Sequence, residues 1–585
     1  MSLSTQLTTL ETSGLLRLAQ LEPELEYLFR HALIQDAAYS SLLKADRRVL
    51  HRAIGQTLER LYPEQIAELA STLGFHFAAA GETEQAHKYL ALAGDYALAH
   101  YANVEAEQHY RAALELGGAE AGRAHLFAGL SDALYAQARY TEAAQAYRAG
   151  IQSYQVIGDD DTAARLYARA SETMFRDGEV SGALALCQEG LAIPSIAAMP
   201  DTRGLAELLH ETGKAYYFNS LLDQTRSLCE RAMLIAERLG LMDLQVNVLA
   251  TLGLLTDQSY EAQVQTLTRA VELTEAAGVR GVPAWRARNN LASQLSRAGD
   301  FSVCLQLQQR IFETARQDGL VGFEVWALTE MTYYYLQLGE FKAMDELRLT
   351  VRRLLSSVPS MLIGPDFLAY EAMLAYYQGD TAEALRVLES ARDDAQRNNI
   401  LESVVWMNNV LAEASLEIGA LEAATGTAQR ALMGSRLPYE DDIVWAFCLL
   451  CAARVREGNL PEARRLLDDA RTKAGPQPAP LSRARLALTE ARLAAAERQW
   501  PKAFAAFELT AQLETQMGRR WYRAQTLREW AEAHLARNDV STRFASIDDV
   551  DRARKLLHEA LALFEEMNVP RYAALVSERL RLLDT

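Results

Sequence analysis

Four glycines, Gly299, Gly339, Gly379 and Gly419, stand 40 residues apart, and each opens a similar phrase: GDFSVC, GEFKAM, GDTAEA and GALEAA. GNLPEA at 458 and RQWPKA at 498 continue the series. A fixed period of this size sets the architecture before any single residue is read. A unit so short cannot bury its apolar face alone and must stack on its neighbours.

The phrase carries more than glycine. Five residues after the turn position comes a small residue: Ala86, Ala106, Ala143, Ala183, Ala384, Ala424, Ala463, Ala503 and Ala553. Twelve residues after it comes another, as in Ala93, Ala113, Gly150, Gly190, Ala391 and Ala431. A larger residue such as Tyr110, Tyr147, Leu388 or Phe507 stands nine after. Offsets of 5, 9 and 12 differ by 4 and 3, so the three share one helical face. Two small residues flanking a large one let a neighbouring helix come close. Before the turn, positions eight and seven back pair a large with a small residue, as in Leu130/Ser131, Leu291/Ala292, Leu411/Ala412 and Leu450/Cys451. Each unit reads as helix, tight turn, helix. The turn takes glycine because a helix C-terminus commonly ends on a left-handed residue. Turn positions fall near 81, 101, 138, 178, 220, 258, 299, 339, 379, 419, 458, 498 and 548, with Tyr101, Ala138, Ser220, Gln258, Arg498 and Asp548 in place of glycine. The expected fold is all-α, a stack of about 13 helix-turn-helix repeats.

Composition supports this and narrows the function. The 585 residues are 50% hydrophobic and 23% charged, with 14 Pro, which suits a large helical core. A net charge of -18 argues against a nucleic-acid duplex or an anionic membrane as the main partner. The five cysteines, Cys187, Cys229, Cys304, Cys448 and Cys451, lack framework spacing, and the Cys448/Cys451 pair lies in the apolar run IVWAFCLLCAARV. They read as buried core thiols. MSLSTQLTTLETSG has no apolar signal region, and no apolar run reaches the roughly 18 residues of a membrane span. The expectation is a cytoplasmic protein.

Residues 1–62 do not repeat. TQLTTLETSGLL reads as a helix ending at Gly14, and ELEYLFRH as a short strand. DRRVLHRAIGQTLERL places Leu50, Ile54, Leu58 and Leu61 on one helix face, with Asp46 as N-cap.

The small-large-small positions and the glycine-aromatic turn resemble the tetratricopeptide repeat (TPR), with a unit of 40 residues instead of that family's 34. The longer unit is similar to the superhelical sensor regions of STAND ATPases of the maltose-activator kind. LFRHALIQDAAYSSLLKADRRVLHRAIGQTLE closely resembles a segment of bacterial STAND ATPases and ATPase-linked class III adenylate-guanylate cyclases, and the resemblance covers about residues 9–116. In those proteins it follows an ATPase module and a winged-helix domain. The resemblance implies a right-handed TPR-like superhelix over 63–585, connecting helices over 31–62 and a winged-helix remnant over 1–30. It implies sensing of a signal that controls an output domain. The sequence has no G-x-x-x-x-G-K-[ST] loop, and its one Gly-Lys, Gly213-Lys214, falls in a helix. The chain looks like the rear part of such a protein.

Catalytic patterns are missing. HETGK at 210 and HEALA at 558 begin like zinc-protease helices but lack the second His, and no G-x-S-x-G or G-x-G-x-x-G occurs. His31 and His51 read as structural, and the acid runs Asp159-Asp160-Asp161 and Asp441-Asp442 as solvated helix starts. The expectation is no enzyme, no cofactor and no metal.

One constellation points to binding. Trp326, Trp406 and Trp445 each stand 13 residues before a turn position, where neighbouring repeats carry Arg286 and Arg485. In the resembling TPR proteins this position, and those ten, six, three and two residues before the turn, face the concave groove. Here they supply Asn289, Asn409, Tyr333, Tyr376, Arg297 and Tyr377. Trp, Tyr, Arg and Asn together suit a ligand surface. The same Trp residues could equally thicken the core between long helices. The functional expectation is a non-catalytic module of signalling or transcription regulation. It would bind a protein or peptide segment, or a small effector, and neither nucleic acid nor membrane. The alternative is the regulatory part of a STAND ATPase or cyclase.

Overall fold

The computed structural model describes residues 3–20, 26–357, 363–398, 400–433, 440–538 and 547–584. The chain divides into two compact units, Met1–Ala133 and Leu134–Thr585.

The first unit opens with α1 (Leu3–Thr12), the strands β1 (Leu16–Gln20) and β2 (Glu26–Phe29), α2 (Ala32–Ser41) and α3 (Lys44–Leu61). Gly14 is left-handed (φ 75°) and ends α1 as expected. The strand read from ELEYLFRH is β2. It pairs antiparallel with β1, with Leu16 opposite Phe29. Asp46 is not the cap of α3. Leu43 holds that place, and Asp46 sits in the first turn, where it still meets the positive end of the helix dipole. Most of the expected apolar stripe of α3 faces outward: Leu50, Ile54 and Leu61 are exposed and Leu58 is half-buried against the cluster of Leu73 and Phe77, while His51 and Gly55 are buried. His51 bonds Tyr39 Oη at 3.0 Å and approaches His76 Nδ1 at 2.8 Å. The hairpins begin with α4 (Ala70–Ala80) and α5 (Thr83–Ala99), followed by α6 (Asn103–Glu115) and α7 (Glu120–Ala136).

The second unit continues with α8 (Tyr140–Ile157), α9 (Asp160–Arg176), α10 (Val180–Ala192), the short α11 (Pro194–Ala197), α12 (Arg203–Phe218) and α13 (Leu222–Leu239). Then come α14 (Met242–Leu252), α15 (Tyr260–Ala276), α16 (Val282–Ala298), α17 (Phe301–Gln317), α18 (Val321–Leu338) and α19 (Phe341–Ser357). They are followed by α20 (Gly364–Gln378), α21 (Thr381–Arg397), α22 (Leu401–Glu417), α23 (Leu421–Met433), α24 (Glu440–Arg456) and α25 (Leu460–Ala474). The last are α26 (Pro480–Ala496), α27 (Trp500–Gln516), α28 (Arg520–Asn538), α29 (Ile547–Glu566) and α30 (Pro570–Asp584).

The turn register is the one the period predicts, with two exceptions. Gly81, Tyr101, Ala138, Gly178, Ser220, Gly299, Gly339, Gly379, Gly419, Gly458 and Arg498 all have positive φ. Gln258 does not, because α14 ends at Leu252 and a longer connection runs to Tyr260. Asp548 stands in the first turn of α29. Of the segment STRFASIDD at 541–549, residues 541–546 lie outside the described residues.

The small residues explain how closely the two helices of a hairpin meet. Ser171 Oγ donates to the Ala183 carbonyl at 3.1 Å, Cys304 Sγ to Ala292 at 3.2 Å and Cys451 Sγ to Ala463 at 3.1 Å. Each bond joins the position seven before a turn to the position five after it. All five cysteines are free and buried, as their surroundings predict.

The stack winds far enough for hairpins remote in sequence to meet. Arg520 Nε donates to the Leu338 carbonyl at 2.9 Å, 182 residues away, and Arg571 Nη1 to the Gly379 carbonyl at 2.6 Å, 192 residues away. These separations are between four and five repeats, so the contacts join successive turns of a superhelix. The fold is an all-α helical-repeat superhelix of TPR-like hairpins. Among the described residues no helix is long and apolar enough to cross a membrane.

Candidate functional site on the inner face

The groove face is expected to carry the positions 13, 10, 6, 3 and 2 residues before each turn. The ten residues expected on this face fall into three groups within the second unit.

The first group surrounds α16. Arg286 is buried and donates to Asn247 Oδ1 at 2.9 Å, Thr251 Oγ1 at 2.9 Å and His210 Nε2 at 3.3 Å. Asn289 Oδ1 accepts from Trp326 Nε1 at 3.2 Å and from Gln308 Nε2 at 3.0 Å. Trp326 meets Trp285 edge to face, with centroids 5.6 Å apart. Arg297 pairs with Asp441 and lies 5.5 Å over the Tyr260 ring. Asp441 is therefore not a solvated helix start: it is 8% exposed and also takes a hydrogen bond from Ser482 Oγ at 2.5 Å. A carboxylate removed from water needs such partners.

This group adjoins a buried ion network that sequence reading did not find. Glu172 pairs with Arg176 at 2.8 Å and with Lys214, and Lys214 also pairs with Glu211 at 2.5 Å. Arg176 lies 4.4 Å over Trp285 and 4.9 Å over Phe323. Burial alone would raise Glu172, but Lys214 and then Arg176 outweigh it and hold the carboxyl well below its ordinary range. Glu211, with Lys214 as its close cation and Glu172 nearby, is pushed up by burial. Burial, and after it Arg286 and Lys214, hold His210 well below its ordinary value, so its imidazole is neutral. HETGK thus supplies an ion network in place of a metal helix.

The second group is aromatic. Tyr333 and Tyr370 pack against Trp406 with centroids 6.1 and 5.4 Å away, and burial raises the Tyr333 phenol. Asn409, wholly buried, donates from Nδ2 to the Asp442 carbonyl at 2.9 Å.

The third group encloses a cavity of about 90 Å³ between α20, α22, α24, α26 and α28. Tyr376 and Trp445 line it. Tyr377 lies beside it, with its Oη 3.2 Å from Tyr522 Oη and its ring 4.3 Å from Trp521. Arg485 lies 4.0 Å over the Trp445 ring, a favourable cation–π geometry. Arg492 forks Glu529 at 2.6 and 2.7 Å. Arg519 holds Glu514 at 3.1 Å and covers Tyr522 at 3.6 Å. Glu413 and Arg492 occupy the −6 position and Glu417 and Arg456 the −2 position, so the register that selected Tyr333 and Arg297 also reaches these charges. Burial raises the Glu413 carboxyl against the opposing pull of Arg485, Arg519 and Arg492.

Arg286, Tyr376, Tyr377, Asn409 and Trp445 are buried, while Asn289, Arg297, Trp326, Tyr333 and Trp406 are half-buried. Among the described residues, the third group encloses free space in the cavity beside Trp445.

No protein-family profile matches the chain, and no curated protein does. Among solved structures it is similar to the APC/C hetero-tetramer Cut9–Hcn1, at 15% identity and TM-score 0.44 over 85% of this chain and 91% of that one. It is similar to a Rap protein complexed with Competence and Sporulation Factor, at 11% identity and TM-score 0.40 over 72% and 98%. Yeast Tom70 gives 12% identity and TM-score 0.34 over 80% and 99%. The fold assignment rests on the turn register and packing described above.

Proposed function

We propose that the chain is a non-catalytic sensing module whose inner superhelical face receives a ligand and passes the event to a partner. The observation that carries this is the arrangement around Trp445. Successive first helices bring Trp445, Arg485, Glu413, Tyr376 and Tyr522 to one cavity, with charged and aromatic groups facing free space. Such convergence of polar anchors on an aromatic wall is what a binding site requires. The size of the cavity favours a small effector over a folded protein segment. α26 carries Arg485 and also packs against α16, so occupation of the cavity would bear on the contact between superhelical turns.

The resemblance of about residues 9–116 to STAND ATPases and linked cyclases supports a signalling role in the cytoplasm. There such repeats would govern an ATPase or cyclase output. The reading of residues 1–30 as a winged-helix remnant, with 31–62 connecting it to the repeats, belongs to the same proposal.

The test is affinity capture from host extract with the full chain beside a Trp326→Ala/Trp406→Ala/Trp445→Ala variant shown to be folded by circular dichroism. Retained small molecules and proteins are both identified by mass spectrometry. Retention by the parent and loss in the variant supports the inner face. Equal retention by both removes these residues from the site.

A further inference from the structure

The charges around the cavity are not all neutralised. Glu529 has Arg492, Glu514 has Arg519, and Glu417 has Arg528 at 3.0 Å. Arg456 is engaged by the Leu416 carbonyl. Among the described residues, Glu413 on α22 has no hydrogen bond or ion pair, and Arg485 on α26 has no carboxylate in ion-pairing reach. Arg485 donates one hydrogen bond, to the Asp441 carbonyl at 3.3 Å.

Unpaired charges withdrawn from water are costly. Here Arg485 and Glu413, both half-buried, line one cavity from different helices, and among the described residues neither is in an ion pair within 4 Å although Arg485 is the foremost cation acting on Glu413. Arg485 lays its face on Trp445, which leaves the N–H edge of the fork to meet a carboxylate in two parallel hydrogen bonds. Glu413 accepts only and suits an ammonium. The complement of the pair is a ligand carrying both charges close together. Size limits it further: about 90 Å³ is small beside the roughly 300–1,000 Å³ of drug-sized pockets. Leu449 and Trp521 add apolar wall.

We infer that this cavity binds a free α-amino acid as its zwitterion, the carboxylate on Arg485 and the ammonium on Glu413, with the side chain against the Trp445 wall. The inference rests on the effector-binding reading of the inner face and names the effector's class. A peptide has only one of the two charges at each end, so it satisfies one anchor and leaves the other unpaired.

Calorimetric titration of the full chain with the standard L-amino acids tests this. For each binder, the N-acetyl and α-amide forms are titrated as well. The expected result is one site per chain for at least one amino acid, weakened about tenfold or more when either charge is masked. Arg485→Leu and the isosteric Glu413→Gln should each weaken binding by a similar factor, and circular dichroism checks that both fold. Should Arg485→Leu unfold, Glu413→Gln decides alone. No binding of any amino acid, or undiminished binding by Glu413→Gln, overturns the inference. A different small molecule held in the extract experiment with no amino acid bound here leaves the sensing role standing and removes this ligand class.

Discussion

Gly339 lies directly against Met567: a methyl group at Gly339 would stand 2.6 Å from Met567 Sδ. Gly299 meets Met517 in the same way, and Gly379 meets Arg571. These hairpin turns are glycine for two reasons. The backbone there is left-handed, and the next superhelical turn rests on it. Gly419 has the first reason alone, since nothing lies within 4 Å of its would-be Cβ. Gly339→Ala should therefore cost about 1–3 kcal/mol and Gly419→Ala about 1 kcal/mol in denaturant unfolding. In a double-mutant cycle, Met567→Ala should recover part of the Gly339→Ala loss. Full additivity would mean that the two residues do not press on each other.

Arg498 occupies a turn position with φ 59° and an exposed side chain. Arg498→Gly relieves that strain at the expense of a more flexible unfolded chain. The net expectation is a gain of roughly 0.5–1 kcal/mol, read from the denaturant midpoint. A loss would show that the side chain holds the turn.

Glu172 lies between Lys214 and Arg176 in a buried network. Glu172→Gln leaves two buried cations short of a carboxylate and should destabilise by roughly 3–5 kcal/mol at neutral pH. The folded-state pKa of this carboxyl is depressed. Its contribution is full above the unfolded value of 4.5 and fades as pH falls through the lower folded value. The variant should lose that acid limb. An unchanged stability–pH curve would contradict the pairing.

His210 stays neutral in the folded chain because its pKa is lowered well below 6.5. The unfolded chain takes up a proton there as pH drops below 6.5 and the folded chain does not. Stability should therefore fall with pH below about 6.5, and His210→Gln should flatten that part of the curve. The slope is measurable by urea unfolding in a pH series.

The thiols offer a further check. Burial pushes Cys187, Cys229 and Cys451 up to about 12 and Cys448 up to about 11. The folded chain should resist iodoacetamide, with all five cysteines reacting only after unfolding. Rapid labelling of Cys448 or Cys451 in the native state would mean that the interior of α24 opens readily.

The hairpin period was legible because glycine turns and paired small residues repeat the same local geometry, as in Ala292/Cys304 and Cys451/Ala463. The expected turn at Gln258 failed because nothing local distinguishes a seven-residue connection from a tight one. The left-handed glycines between hairpins, such as Gly158, Gly240 and Gly319, lie outside the phrase that defines the period. β1 was missed since LRLAQ gives only a weak alternation, and its pairing with β2 supplies the stabilisation. Register pointed to Trp445 and Tyr376, which line the cavity, and to Tyr377 beside it. It could not show that Arg297 meets Asp441, because that pair is 144 residues apart and depends on how far the superhelix winds. Glu413 and Arg492 shared the register of Tyr333, but a charge at a groove position reads as solvated until its neighbours are known. Arg519 stands in the connection between α27 and α28, outside the helical register altogether.

The most direct test of the sensing account is a native mass spectrum of the full chain after incubation with the small-molecule fraction of its host. The account predicts a parent species heavier than the bare chain by one small ligand, and a bare chain for Glu413→Gln. A bare parent chain would contradict it, and the same added mass on both proteins would remove Glu413 from the site.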